Sequence, residues 1–377
     1  MSAFEPTVVD TVNAASREQE SYYLASQWQL IRQRFRRHRL AMVGMVILAI
    51  LYTFAILAEF IAPYNMGTRF PEAIYHPPTR IQFAHEGRLQ RPFVYGSVKE
   101  RDSYTLELKF TPDPEARHPI HLFGKGEPYR LWNLIPLERH LFAVEEPGRL
   151  FLIGSDDIGR DLMSQVIFGS RISLTIGLVG VTVSFLIGVV LGGISGYFGG
   201  IVDVIIQRVI EFLISIPTIP LWFALSAALP PDWGVIKTYF AIVCLLSLVG
   251  WGGLARVVRG KLLELRELDY VTAARIMGVS VPTNIRVHML PNFMSYLIVA
   301  LTLAVPGMIL GETALSFLGL GIRAPAVSWG VLLERSGNLN AIQLYPWMVS
   351  PVLFVVVTVL AFNFLGDGLR DAADPYK

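Results

Sequence analysis

The chain has 377 residues, 53% of them hydrophobic and 16% charged, with a formal net charge of +2. Its mean hydropathy is +0.48. The apolar runs are too long for a soluble core, so the class is an integral membrane protein. The single cysteine, Cys244, lies inside an apolar run; this excludes a disulfide framework and a thiolate metal site and reads as a small buried hydrophobe.

Residues 1–39 form a polar segment that is expected to stay cytoplasmic. Its charged part precedes a run longer than a secretory signal core, and no small-residue cleavage site follows. Ser16 and Gln19 have capping-box spacing, and Leu24, Trp28, Ile31 and Phe35 recur at helical intervals. Arg32, Arg34, Arg36, Arg37 and Arg39 close this stripe. A basic amphipathic helix beside a span lies along cytoplasmic headgroups, and its direct continuation into lipid argues against nucleic-acid binding.

The first span is predicted over 40–61, within a segment 40–62, and the arginines before it orient its start inward. Glu59 falls near its outer end. Residues 63–150 change character, with recurrent prolines, many aromatics and both charge signs. The alternation of Tyr104, Leu106, Leu108 and Phe110 predicts a half-buried strand, ended by Thr111-Pro112-Asp113-Pro114. This segment reads as a small extracytoplasmic insertion of partly β character. His118 and His121 are spaced like a metal pair, but no further ligands stand at suitable spacing, so no metal is expected.

The core, 151–377, opens on Gly154-Ser155-Asp156-Asp157-Ile158-Gly159-Arg160-Asp161. Ser155 or Asp156 is predicted to cap a helix that Leu162, Val166, Ile167 and Ile172 lead into the second span, 172–197. There Gly188, Gly192 and Gly196 stand four apart, which lets another helix approach closely. Gly199, Gly200, Asp203, Gln207 and Arg208 make an inner turn. A third span over 209–229 is expected to kink at Pro217 and Pro220, with a fourth over 239–258. The fifth starts at Pro291 and carries Pro306; the sixth covers 347–365. Six spans put both termini inside, and the basic residues of the short inner segments agree.

Between the fourth and fifth spans, the loop 259–291 contains Asp269-Tyr270-Val271-Thr272-Ala273-Ala274-Arg275-Ile276-Met277-Gly278. Val271, Ala274 and Met277 are predicted to share one face of a short helix, and Gly278 takes the left-handed residue after its last turn. On these grounds a merely helical loop and a partner-docking helix both stand. Glu312 is the intramembrane acid of interest: functional or internally paired by default, or else a cap on a broken helix at the interface. Glu211 is next and is read as snorkelling to the inner surface. No G-x-x-x-x-G-K-[ST], HExxH, CxxC or G-x-S-x-G pattern occurs, and Asp156 and Asp157 are adjacent rather than convergent. No catalytic residue or cofactor is expected.

Thr272-Ala273-Ala274, Gly278 and Leu290-Pro291 resemble the EAA loop of ABC importer permeases, with Thr272 where the family usually has Glu. Gly154-Ser155-Asp156, Gly159-Arg160-Asp161 and Phe168-Gly169-Ser170-Arg171-Ile172-Ser173-Leu174 resemble a segment of the C-type permeases of oligopeptide and dipeptide importers, Ser155 replacing the usual Thr. Leu315-Ser316-Phe317-Leu318-Gly319-Leu320-Gly321, Ser328-Trp329-Gly330 and Gly366-Asp367-Gly368-Leu369-Arg370-Asp371 follow in the same order. The resemblance covers about 150–377.

That resemblance implies an all-α bundle of six transmembrane helices, the permease subunit of an importer of di- or oligopeptides in a bacterial inner membrane. The implied partners are a second homologous permease, two ATPase subunits, an extracytoplasmic substrate-binding protein and the lipid bilayer. Contact with the ATPase would fall to Asp269, Tyr270, Thr272, Ala273, Ala274, Arg275, Gly278, Leu290 and Pro291, with the two alanines small enough for close docking. Glu312, Ser316 and Phe317 are the candidates for the translocation pathway; Asp157, Gly159, Arg160, Asp161 and Arg171 are structural motif residues. Near relatives handle glycosides, opines and nickel. A receptor using the 63–150 insertion would need an output domain that the short tail after Arg370 does not offer. A channel or secondary transporter would need inverted repeats or a line of ionisable groups.

Overall fold

The computed structural model describes residues 27–85, 88–101, 108–230, 232–337 and 339–374. Ser16, Gln19, Leu24, Tyr104 and Leu106 lie outside the described residues.

Helix α1 (Gln27–Arg37) ends in Arg34, Arg36 and Arg37. His38 then caps α2 (Arg39–Ile56), its Nδ1 accepting the Ala41 N–H at 3.1 Å. Arg34 donates to the Asp374 carbonyl at 2.7 Å, which brings the start of the bundle to its last helix. After a one-turn α3 (Ala58–Ile61), the chain enters the insertion.

Strands β1 (Gln82–His85), β2 (Arg88–Arg101), β3 (Leu108–Leu122) and β6 (Phe142–Val144) form an antiparallel sheet in that spatial order. A separate hairpin joins β4 (Lys125–Leu131) and β5 (Ile135–Arg139). The strand around Phe110 does not stop at Thr111: β3 runs on through Pro112, Pro114 and Pro119. Its outer side is paired only at Ile120, His121 and Leu122, so over the first prolines β3 has a free edge that can tolerate a missing N–H. A register shift between Tyr95 and Gly96 absorbs the rest. His121 lies 3.7 Å from the Glu145 carboxylate, and among the described residues no group of three potential ligands converges on a metal position.

Helix α4 (Leu162–Phe198) is the central mast, 37 residues long. Its N-cap is Asp161, which accepts from the Ser164 N–H at 2.7 Å. Ser155 and Asp156 are not the cap. Ser155 instead forms a bridge to Asp161, and Asp156 closes a tighter turn one step earlier. The four-residue glycine spacing works as expected. A Cβ on Gly192 would stand 2.5 Å from the Ala255 carbonyl oxygen, and one on Gly196 would stand 2.7 Å from that of Arg259. Both partners belong to α7 (Val235–Leu265), so the two backbones touch.

Between them come α5 (Gly200–Ser215) and α6 (Thr218–Ala227), bent by 85° at their junction. Pro217 is the cap of α6 and breaks the run, since it has no N–H to donate back. Pro220 causes no second kink, because it sits in the first turn of α6, where its missing N–H has no intrahelical acceptor. Asp203 on α5 is held by Arg259 Nη2 at 2.5 Å and by Ser195 Oγ at 2.5 Å. Glu211 pairs with Arg208 at 2.7 Å on an exposed surface.

The loop helix α8 (Asp269–Ile276) and a short α9 (Val281–Thr283) lead through a π turn (Asn284–Met289) and a 3-10 turn (Leu290–Phe293) into α10 (Met294–Phe317). Then follow α11 (Trp329–Ser336), α12 (Leu339–Leu344) and α13 (Ser350–Ala373). Among the described residues five helical stretches are long and apolar enough to cross a membrane, and the bent pair α5–α6 makes a sixth. The main core joins Leu174, Ile176, Leu246, Ile309, Leu315, Trp329 and Phe362. Cys244 is exposed rather than buried, on the outward face of α7.

The glycine contact gives a sharp contrast. Gly192→Ala forces the α4 and α7 backbones apart and should lower stability by about 1–3 kcal/mol. Gly193→Ala meets nothing nearer than Ile285 at 3.9 Å and should be neutral. Thermal unfolding of the two detergent-purified variants checks this; equal melting temperatures would refute the close contact.

Candidate functional site

Helix α8 is rooted on one side and bare on the other. Val271 is 3% exposed and Ala274 2%, whereas Ile276 is 79% and Met277 76% exposed. Met277 therefore does not share the face of Val271 and Ala274. Each step of three residues falls about 60° short of a full turn, so after two steps the ladder has drifted by about 120°. Val271 enters an apolar cluster with Val258 and Leu262 of α7, Met289 and Phe293 of the irregular turns, and Leu297 of α10. The buried Asn284 donates to the Val271 carbonyl at 3.4 Å. Gly278 is left-handed (φ 81°), and the Val279 N–H returns to the Ala274 carbonyl at 3.1 Å.

The outward face presents Asp269, Tyr270, Ala273, Arg275, Ile276 and Met277. Tyr270 is steadied from behind by Asn292, whose amide donates to its hydroxyl at 3.1 Å and to the His288 carbonyl at 2.7 Å. Thr272 and Leu290 are half-buried; Pro291 is exposed in the first turn of the 3-10 segment. The two alanines thus divide. Ala273 faces outward, and Ala274 faces its own chain, so Ala274 cannot itself be a docking contact.

Glu312 is fully buried in α10, and it is internally paired rather than a cap. Ser316 donates to its Oε1 at 2.7 Å and Ser173 of α4 to its Oε2 at 3.2 Å, with Ser328 also bonded to it. Ser316 and Ser173 accept in turn from the Ile322 N–H at 3.0 Å and the Trp329 N–H at 3.1 Å. One carboxylate thereby pins α4, α10 and the segment before α11. Of the three pathway candidates Glu312 and Ser316 are enclosed, and Phe317 alone is exposed.

The motif before α4 is a corner of ionic contacts. Asp156 accepts the backbone N–H groups of Ile158 at 3.0 Å and Arg160 at 2.8 Å, and pairs with the Arg160 side chain at 2.6 Å. Arg335 of α11 lies 3.5 Å from Asp157. Gly159 is left-handed (φ 77°) and its carbonyl accepts from Phe70 at 2.8 Å. Arg171 grips Glu59 with two bonds of 2.8 and 2.7 Å and donates to the Ala55 carbonyl at 3.0 Å. Burial pushes the Asp161 carboxyl up to about 7, against the Ser164 bonds that favour its charged form. Asn284, Ser173, Ser328 and Arg335 each hold a partner distant in sequence, a link that spacing does not reveal.

The geometry is that of a multi-span membrane protein carrying a short helix rooted in its core and exposed on its other face. Residues 188–376 match the family described as binding-protein-dependent transport system inner membrane component. Residues 26–78 match the N-terminal TM domain of oligopeptide transport permease C. The chain belongs to this family of ABC importer permeases, which work with ATPase subunits and another permease subunit. It is 32% identical to the dipeptide transport system permease protein DppC of Bacillus subtilis (strain 168), over 94% of this chain and 86% of that one. It is 31% identical to the oligopeptide transport system permease protein OppC of the same organism, over 99% and 96% of the two chains. A chain from inward-facing conformations of the MetNI methionine ABC transporter matches with a TM-score of 0.44 at 20% identity, covering 56% of this chain and 97% of that one.

The buried Asp161 makes a pH prediction. Its folded carboxyl holds a proton that the unfolded one releases near the ordinary value of 3.8, so its stabilising protonation is complete below that pH and is lost as pH rises through about 7. Asp161→Asn keeps a capping side chain without titrating, so the melting temperature should fall less over this window than in the parent protein. Identical pH profiles of the two proteins would refute the shift.

Proposed function

We propose that this permease carries dipeptides and oligopeptides across a bacterial inner membrane, in partnership with an extracytoplasmic substrate-binding protein. In this reading both termini and the loop 259–291 are cytoplasmic, and the 63–150 insertion is extracytoplasmic. The chain supplies no ATP site of its own; two separate ATPase subunits drive it. The names of the two Bacillus relatives support the substrate class. Opines, glycosides and nickel are the competing cargoes, and the ligand of the partner binding protein decides among them.

The observation that carries the coupling mechanism is the two-sided character of α8. Its bare face, with Tyr270, Ala273, Ile276 and Met277, fits a groove on an ATPase, while Val271 ties it to α7 and α10. Closure of the ATPases on ATP displaces α8. Because Val271 shares a buried cluster with residues of α7 and α10, those helices would move with it and switch a path through the bundle between inward and outward access. Asp269 and Arg275 flank the contact as charges. Thr272 is half-buried beside it, Gly278 sets the exit of the chain, and Leu290 and Pro291 restart it toward the membrane.

Ala273→Trp should therefore reduce uptake by roughly tenfold or more, the effect of a bulky side chain at the centre of an interface. The chain should still insert, and less ATPase should copurify with it. Ala274→Leu should instead lower the melting temperature, because its side chain meets the permease itself. Normal uptake and full ATPase recovery with Ala273→Trp would defeat the proposal.

A further inference from the structure

The β4–β5 hairpin stands apart from the four-stranded sheet, and its tip lies against the end of a membrane span. Trp132 Nε1 donates to the carbonyl of Ile56, the last residue of α2, at 2.8 Å. An 18-residue helix rises about 27 Å, close to the roughly 30 Å of a hydrocarbon core, so Ile56 marks the boundary between acyl chains and headgroups. That bond fixes the indole at the same level.

The tip is built to be apolar and exposed. Trp132 is 58%, Leu134 79% and Ile135 55% exposed. Trp132 and Asn133, the first two of the three residues between the strands, are both left-handed (φ 55° and 58°), a conformation that favours asparagine and glycine. Asparagine suits that turn; tryptophan is the less usual residue there, and its indole is what reaches the Ile56 carbonyl. The apolar surface continues onto the outward face of α2, where Val43, Val46, Ile50 and Ile56 are exposed. Arg130 and Arg139 stand exposed on the two strands behind the tip. An aromatic at the boundary, aliphatics beyond it and arginines behind it is the chemistry of a surface that enters a lipid leaflet.

We propose that the tip of the β4–β5 hairpin, with Trp132, Leu134 and Ile135, is a membrane-interface anchor inserted into the leaflet at the end of α2, its arginines facing lipid phosphates. The occupant of this surface is lipid, because the tip is continuous with the apolar flank of a spanning helix and level with the end of that helix. The inference needs only that α2 crosses the bilayer; it does not depend on the transported solute or on the ATPase contact.

The test uses the full permease assembled with its partner subunits in nanodiscs containing phosphatidylglycerol, with the exposed Cys244→Ser change as background. An environment-sensitive fluorophore is attached at Leu134→Cys, at Ile135→Cys and, as a control at the far end of the β2–β3 pair, at Lys99→Cys. Nitroxide lipids labelled near the headgroup should quench the two hairpin positions, and aqueous iodide should quench only the control. Iodide quenching of the hairpin labels to the same extent as the control would overturn the proposal. So would protection from both quenchers, which would mean that a protein covers the tip. Two adjacent hairpin positions guard against a local effect of one label.

Discussion

The burial of Val271 in a cluster that also takes in residues of α7, the irregular turns and α10 is what makes a surface helix part of the bundle. An eight-residue helix is too short to be stable alone and takes its order from what it packs against. Val258, Leu262, Met289, Phe293 and Leu297 supply that surface from two separate spanning elements. Interiors are close-packed and barely compressible, so a displacement of α8 bears on the cluster that both elements share. Each of those helices is in turn joined to α4. Helix α7 reaches it through the glycine contacts at Gly188, Gly192 and Gly196, and α10 through the Glu312–Ser173 bond. The element that carries the loop helix is thereby joined to the mast at two places.

The two junctions differ in kind. Along α4 and α7 the backbones approach each other directly, a contact governed by shape with almost no side chain to rearrange. Between α4 and α10 apolar packing of Val305 and Ile309 on Gly177 is joined by a carboxyl group enclosed by serine hydroxyls, whose loss leaves unsatisfied groups on several elements at once. The first permits tight fit and the second fixes relative position. The irregular turns 284–293 sit between α8 and α10, and their departures from α-helical hydrogen bonding are offset by Asn284 and Asn292. That is where backbone irregularity is tolerated, at the start of the span that continues into α10.

Much of this was legible in the sequence, for identifiable reasons. Long apolar runs specify spans, the glycines four apart specify a close helix contact, and Gly278 specifies a left-handed stop. Each is a local signal with a local cause. The misses were decisions made elsewhere in the chain. The prolines of β3 looked like strand breakers, but whether a missing N–H matters depends on which edge is paired. Ser155 looked like a cap, but its hydroxyl bonds to the backbone around His76, and Asp161 took the role. Glu312 was recognisable as important, whereas Ser173 lies 139 residues away and nothing local links them. Cys244 sits in an apolar run, yet apolarity in a membrane helix does not distinguish the face toward its neighbours from the face outward.

The length of α4 explains how the insertion and the bundle stay in register. Its 37 residues rise about 55 Å, well beyond the roughly 30 Å of hydrocarbon. The start of the helix therefore stands beyond the hydrocarbon, where the buried charges of the corner are held by partners of opposite sign. There Arg171 clamps Glu59 of α3, Gln165 donates to the Met66 carbonyl at 2.8 Å, and the Asp156–Arg160 turn receives Arg335 from α11. Polar bonds tie the far end of the mast to the insertion, and glycine contacts tie its loop end to α7. A rigid helix held at both ends by different forces can transmit rotation along its length while each end keeps its own neighbours.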